Sequence, residues 1–382
     1  MVATIVAYEL YHLTKSSFAI GIVGLSEFVP VFFLALYAGH VIDRSDKRTL
    51  LLKGILSYSA CVVLLILVTI PSVQESLSTS LLSICFYIII FFTGIIRAFA
   101  GPASNAIMAQ LVPKQILHFA ASISSTSWLA ASLTGHALAG ILIALVGVHA
   151  CFYIIFFIVM TAAFLLSRIE RKPVMHRDTG MKTWESVKEG LRFVVSQKVL
   201  FTAITLDLFA VLFGGATALL PEVTHEILKV GPIGFGLLNS AIDIGAMIML
   251  VGIMFNPLRK KQGLLLLITV SGFGACIILF GLSNIYWLSF LALLVAGMMD
   301  GMSVVIRGTI FQLTTPDEMR GRVSAVNSMF INSSNELGQF ESGVTSRIFG
   351  GARPAVLFGG IMTLVVAIIA WIKAPRLRKF EY

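Results

Sequence analysis

Charge is scarce in this chain. Asp, Glu, Lys and Arg make up 12% of its 382 residues, where a soluble domain carries about 25%, so a water-facing surface of ordinary size cannot be assembled from it. Cysteine is scarce too. Cys61, Cys85, Cys151 and Cys276 all fall inside apolar runs, which reads as packing rather than as a disulfide framework. No His and Cys cluster has metal-ligand spacing, so neither a metal nor a cofactor is expected. A glycine-rich segment ending in Gly-Lys-Ser or Gly-Lys-Thr is missing, which excludes ATP hydrolysis through that loop. No nucleophile–base pair stands out, so an enzyme is not expected.

What is abundant is apolar surface. Hydrophobic residues make up 57% of the chain and the mean hydropathy is +0.93. Residues 62–70, 81–92, 141–166, 264–280 and 356–372 run with little polar interruption. Such runs fit helices of roughly 20 residues crossing a hydrocarbon core of about 30 Å, and a helix is the open-chain structure that satisfies its own backbone there. The expected class is an all-α membrane protein with the lipid bilayer as a partner. The net charge of +9 then sets orientation, and no nucleic acid is expected.

Residues 1–11 are apolar, too short to span, and lack the basic start of a signal peptide; they read as the second half of a first helix whose beginning is missing. Eleven further spans are expected over 18–42, 50–70, 81–108, 119–146, 151–166, 200–220, 234–255, 264–282, 285–313, 319–348 and 355–372. They form an N-terminal bundle over 1–166 and a C-terminal bundle over 199–382, joined by a cytoplasmic linker over 167–198. Within that linker, Trp184 to Val195 sets apolar residues at helical spacing opposite charges, the pattern of an amphipathic helix on the membrane surface. One set of alternate loops, with the tail, holds 22 of the 28 Lys and Arg residues; the other holds Lys15, Lys229, Arg347 and Arg353. That bias places the linker and the C-terminus in the cytoplasm. A trace of repetition is visible. Gly94-Ile95-Ile96-Arg97 leads to Leu111-Val112-Pro113 at the spacing by which Gly297-Met298-Met299-Asp300 leads to Thr314-Thr315-Pro316, as in chains built from two related halves.

Ionisable side chains inside spans are costly and therefore functional candidates. They are Glu27, Arg97, Asp207, Asp243, Asp300, Arg307, Glu336 and Glu341. Six acids against two bases leave excess negative charge, which protonation, a cationic ligand or a water-filled cavity must offset. Asp300 and Arg307 share one helix face two turns apart, too far for contact without long side-chain reach. Arg97, at the repeat-related position, is therefore a candidate partner for Asp300. A buried pair that only fixes helix register fits these three residues equally. For Glu27 and Asp207, a proton site and a satisfied structural acid both fit. In the span over 319–348, Ser328, Asn332, Asn335 and Gln339 line one face with Glu336 beside it; that face lines a cavity or bonds neighbouring helices. These residues, with Asp243, are the candidate path for substrate and proton.

The block Gly39, Asp43, Arg44, Lys47 and Arg48 joins two apolar runs by a very short charged loop. Asp43 is placed to meet the positive N-terminal end of the helix that begins near Pro316. The basic residues are placed to pair with Asp317 or Glu318, which makes a cytoplasmic gate. A plain positive-inside anchor accounts for the bases but not for Gly39 or Asp43.

Gly39-x-x-x-Asp43-Arg44-x-x-Lys47-Arg48 resembles the loop motif between spans two and three of the major facilitator superfamily of transporters. Leu206-Asp207-Leu208-Phe209, Arg97-Ala98-Phe99 with Gly101-Pro102-Ala103, and Thr315-Pro316-Asp317-Glu318-Met319-Arg320-Gly321-Arg322, continuing through Ser334-Asn335-Glu336, are similar to the branch around the bacterial enterobactin exporter. The resemblance implies two pseudo-symmetric six-helix bundles and alternating access. It implies a monomer in the bacterial inner membrane that exports a small amphipathic molecule, siderophore or drug-like, by proton antiport. Two positions depart from the pattern. Asp46 stands where the loop motif has glycine, and Gly135-His136 with Ala139-Gly140 stand where the span-five antiporter motif has Gly-Pro and Gly-Gly. A lipid or lysolipid flippase on the same scaffold and a non-transporting membrane sensor or assembly protein are the alternatives.

Overall fold

The computed structural model describes residues 1–170, 183–256, 258 and 260–381. Twelve helices of eight residues or more account for most of them: α1 Val2–Thr14, α2 Ser17–Arg44, α3 Lys47–Val68, α4 Thr79–Leu111, α5 Leu117–Ser167, α6 Thr183–Ser196, α7 Lys198–Gly214, α8 Pro232–Phe255, α9 Gln262–Leu282, α10 Tyr286–Thr314, α11 Asp317–Phe349 and α12 Ala352–Lys373. There is no strand among the described residues. Nine helical segments among them are long and apolar enough to cross a membrane. One of the nine is α5, which breaks at Gly147 (φ 79°, ψ 166°) into the two spans expected over 119–146 and 151–166. Only glycine adopts that backbone conformation without strain. The 33-residue α11 is long enough but carries too many polar side chains to be counted, and α1 has 13 residues.

Local chemistry sets most boundaries. Asp46 is the N-cap of α3, its carboxylate accepting from the Arg48 N–H at 3.2 Å. Ser78 caps α4 by accepting from the Leu81 N–H at 3.3 Å. Pro232 opens α8, where a missing N–H costs nothing. The span expected over 200–220 is interrupted. After α7 ends at Gly214, a 3-10 turn over Ala216–Leu219 and a wider turn over Val223–Ile227 complete it. The interruption falls at Gly214-Gly215, where the Gly215 carbonyl accepts from the Ala218 N–H at 3.4 Å and from the Ser342 hydroxyl at 3.1 Å.

By its contacts the chain divides into two compact units. The first holds Met1–Thr14 and Leu25–Thr183; in it α3 packs on α4 and α5, and α1 on α5. The second holds Lys15–Gly24 and Trp184–Tyr382. There α8 packs on α10, α9 on α10 and α12, and α7 on α11 and α12. Leu200, Leu266, Leu267, Ile306, Ile310 and Val323 are buried in its core.

Helices in lipid gain little from burying apolar area against each other, so close backbone approach at small residues matters more. In the first unit, a Cβ on Gly94 of α4 would lie 2.8 Å from the Glu27 carbonyl oxygen of α2. In the second, a Cβ on Gly297 of α10 would run into the Ile242 carbonyl of α8, and one on Gly301 would lie 3.0 Å from the Ala246 Cα. The first turns of α2, which belong to the second unit, lie along α11. A Cβ on Gly343 would stand 2.9 Å from the Gly21 Cα, the Phe18 and Phe340 rings are 6.4 Å apart, and the Arg347 guanidinium sits 4.8 Å from the Phe18 ring centroid. Glu222 ties that end together. Its carboxylate accepts from Ser17 Oγ, from Ser346 Oγ at 3.1 Å and from the Ala352 N–H at 2.7 Å.

Candidate functional site

In the second unit, α7 supplies Asp207 and α10 supplies Asp300 and Arg307. Arg307 Nη1 pairs with Asp207 Oδ2, and its Nη2 lies 3.9 Å from Asp300 Oδ1. The Nε–H is shared between the Ser303 carbonyl at 3.3 Å and the Ser303 Oγ at 3.2 Å. This corrects the expectation that Asp300 and Arg307 are out of reach and that Asp300 looks to Arg97. Helical side chains lean toward the helix N-terminus, so the long Arg307 side chain runs back along α10 over Ser303 to Asp300. Asp207 and Arg307 are nearly enclosed, with side-chain exposures of 8% and 13%, whereas Asp300 retains 39%. A void of ≈ 10 Å³ lies against Asp207, Asp300, Ser303, Thr269, Phe273 and Met299, about the room one water molecule takes. Two carboxylates thus share one guanidinium beside a space fit for one small polar guest.

In the first unit, Arg97 on α4 pairs with Glu27 on α2, Nη1 to Oε1, at 2.7 Å. Gly94, one turn earlier, lets the two helices close enough for that contact. Arg97 is 43% exposed, and ionisable side chains inside spans face protein or a water-filled cavity rather than lipid. The excess of unpartnered acid expected from composition is therefore smaller than the count suggested, since Glu27, Asp207 and Asp300 all have a cation in reach.

Along α11, Glu336 is buried, Asn332 and Gln339 are half-buried, and Ser328 and Asn335 are exposed. The Asn335 amide donates to the Ile331 carbonyl at 3.0 Å. A Cβ on Gly24 would lie 2.9 Å from the Gln339 Cβ, which seats Gln339 against α2. Among the described residues, Glu341 Oε1 is buried with no hydrogen-bond partner. Asp243 is half-buried on α8.

The loop after α2 is shorter than expected, because α2 stays helical through Gly39 and Asp43 to Arg44. Among the described residues, a Cβ on Gly39 would meet nothing within 4 Å. The side chains of Asp43, Arg44 and Asp317 lie outside the described residues. Glu318 is exposed. Lys47 is buried and donates to the Ser45 carbonyl at 3.2 Å. Arg48 donates from Nε to the Leu166 carbonyl at 3.4 Å and from Nη2 to the Ser167 carbonyl. It thereby caps the C-terminal end of α5, where a cation is favoured by the helix dipole. Sequence reasoning missed Asp46 as a cap, although an Asp just before a helix start is a readable signal. It also missed Glu222, whose partners are set by packing, and Ser303, whose spacing of four residues before Arg307 places the two on one helix face.

Among the described residues, no group of three or more His, Cys, Asp and Glu is placed to hold a metal ion. The family model described as Major Facilitator Superfamily matches residues 1–339. The chain belongs to the Major Facilitator Superfamily. The uncharacterised MFS-type transporter YfiS of Bacillus subtilis (strain 168) is 24% identical over 97% of this chain and 87% of its own length. YfmI of the same organism, likewise described as an uncharacterised MFS-type transporter, is 24% identical over 74% of this chain and 71% of its own length. A D-xylose–proton symporter structure superposes with a TM-score of 0.78 at 13% identity, covering 100% of this chain and 95% of that one. The nucleoside transporter NupG gives 0.72 at 13% identity over 97% and 94%. At such identities these structures establish the shared superfamily fold. Members of this superfamily are in general transporters rather than enzymes, and they take small-molecule substrates within the membrane.

Proposed function

We propose that this superfamily member is a secondary active transporter that exports a small amphipathic organic molecule, siderophore or drug-like, across the bacterial inner membrane, coupled to protons. The observation that carries this reading is the cluster of Asp207, Asp300 and Arg307 beside the one-water void. With both carboxylates ionised, the cluster holds one negative charge beyond what Arg307 offsets, in a site where such charge is expensive. A proton on either carboxylate neutralises it, and so does a cationic group of the substrate. Proton binding to Asp300 releases its share of Arg307, which then serves Asp207 alone, so one protonation event strengthens the ion contact that ties α10 to α7. Glu27 and Arg97 supply a second charged contact. Asp243, Asn332, Asn335, Glu336 and Gln339 are proposed to offer polar contacts to the cargo. The segment Gly39 to Arg48, with Asp317 and Glu318, is proposed as the cytoplasmic gate, and the C-terminus as cytoplasmic.

The test is flux in proteoliposomes under an imposed pH gradient, with a fluorescent lipophilic cation and an iron-chelating siderophore as probes. The expected result is export that falls when the gradient is collapsed, and that loses its response to the gradient in Asp300→Asn. Flux indifferent to the gradient in the unmodified protein removes the coupling. Unchanged flux in Asp207→Asn, Asp300→Asn and Glu336→Gln alike removes the site.

A further inference from the structure

α7 and α12 are antiparallel in the second unit. Gly359 stands against the Phe213 carbonyl, and the Thr363 hydroxyl donates to the Ala210 carbonyl at 3.4 Å. Beside this seam the two helices leave a groove of ≈ 600 Å³. Phe209, Phe213, Met362, Val366 and Ile369 make its walls, and Lys373 stands at one end. It runs from Phe201 to Phe213 along α7, about 18 Å at 1.5 Å per helical residue. One leaflet of a bilayer offers about 15 Å of hydrocarbon.

Residues 373–381 at the Lys373 end carry four basic residues against one acid, Glu381. Lys198 opens α7 there, and Arg376, Arg378 and Lys379 follow Lys373 within six residues. Lys198, Lys373, Arg376 and Lys379 are exposed. The Arg378 guanidinium lies 5.9 Å from the Trp371 ring centroid, and Trp beside basic residues is the composition of a membrane–water interface. We infer that this groove binds an anionic phospholipid, with one acyl chain laid between α7 and α12 and the phosphate on Lys373. The match in length selects a single lipid chain. The clustered cations select an anionic headgroup over a zwitterionic one. The inference is independent of the cargo and direction proposed above. Its interest is that α7 also carries Asp207, so a lipid seated here packs directly on the helix that holds one side of the charge cluster.

The test uses the full chain, purified and delipidated, then titrated with phosphatidylglycerol or phosphatidylcholine of the same acyl composition. Retained lipid is counted by native mass spectrometry. The unmodified protein is expected to retain phosphatidylglycerol with about five-fold preference, the factor one cation contributes at an anionic headgroup. Lys373→Gln should lower the preference, and Val366→Trp should reduce retention of both lipids by filling the groove. Lys229→Gln, a cation past the far end of α7, should leave retention unchanged. Equal retention of the two lipids by the unmodified protein overturns the inference. So does a preference that Lys373→Gln leaves unchanged, retention that Val366→Trp leaves unchanged, or displacement of the lipid by inorganic phosphate. If a variant does not fold, crosslinking from a photoactivatable acyl chain on the unmodified protein decides instead. Adducts on α7 and α12 peptides support the site, and adducts elsewhere overturn it.

Discussion

Arg307 should be the least replaceable residue of the charge cluster, and the structure orders the costs. Its contact with Asp207 is nearly enclosed, at 13% and 8% side-chain exposure. Removing one partner of such a pair leaves a buried charge without compensation and costs about 3–5 kcal/mol. Its contact with Asp300 is longer, at 3.9 Å, beyond hydrogen-bond reach, and a distant contact of that kind is taken as worth about 1 kcal/mol or less. Arg307→Ala is therefore expected to cost about 3–5 kcal/mol, and Asp300→Asn about 1 kcal/mol or less. The double variant Arg307→Met with Asp207→Leu removes both buried charges, and apolar replacement of a whole pair is close to neutral. It should recover most of the loss. The assay is equilibrium unfolding of the purified protein in mixed micelles, followed by helical circular dichroism and analysed as a double-mutant cycle whose single variants are Arg307→Met and Asp207→Leu. Two results would refute the reasoning: a cost for Arg307→Ala no greater than for Asp300→Asn, or single-variant costs that add within about 0.5 kcal/mol, as they do for sites that do not interact.

Three further expectations use the same unfolding assay. Gly297→Ala should destabilise by about 1–3 kcal/mol, because its Cβ runs into the Ile242 carbonyl, whereas Gly308→Ala on the same helix should stabilise by about 0.5–1 kcal/mol, because nothing lies within 4 Å of its Cβ; similar effects at the two positions would contradict the packing of α10 on α8. Asp46→Ala should cost about 1 kcal/mol through the lost cap of α3 and Asp46→Asn much less, so equal losses would remove the capping role. Gly147→Ala should cost about 1–3 kcal/mol from backbone strain alone; no loss there would mean that α5 does not break at this residue.

The spans were legible because lipid leaves few options. A backbone that must satisfy itself forces helices, so the ends of α8 at Phe255 and α9 at Leu282 coincide with the last residues of the expected runs. The break inside α5 was legible as well, because apolar length alone demands two spans there. The irregular end of the α7 span was not. It depends on how Gly215 meets α11, and nothing local to residues 214–227 announces the partner. The cluster of Asp207, Asp300 and Arg307 was legible in membership but not in pairing. Each residue stood out as an ion in an apolar run, yet which cation met which acid followed from side-chain lean along α10 and from the packing of α7. Asp46 illustrates the opposite failure. Measured against a family pattern it looked like a departure, while its local chemistry, a carboxylate one residue ahead of a helix, already specified a cap.

The two units solve one packing problem with opposite charge. Gly94 and Gly297 each stand three residues ahead of a charged residue, Arg97 and Asp300. Each glycine receives a backbone carbonyl from a neighbouring helix, Glu27 on α2 for the first and Ile242 on α8 for the second. In the first unit the close approach joins a base to an acid, and the pair is neutral. At the matching position the second unit has an acid, and the residue after Ile242 is a further acid, Asp243. Arg307 lies two turns beyond Asp300 and reaches both Asp300 and Asp207. Neutral pairing in one unit and a surplus carboxylate in the other concentrate the titratable charge in the second unit. Under the proton coupling proposed above, the cluster of Asp207 and Asp300 is where a bound proton would cancel a surplus of charge.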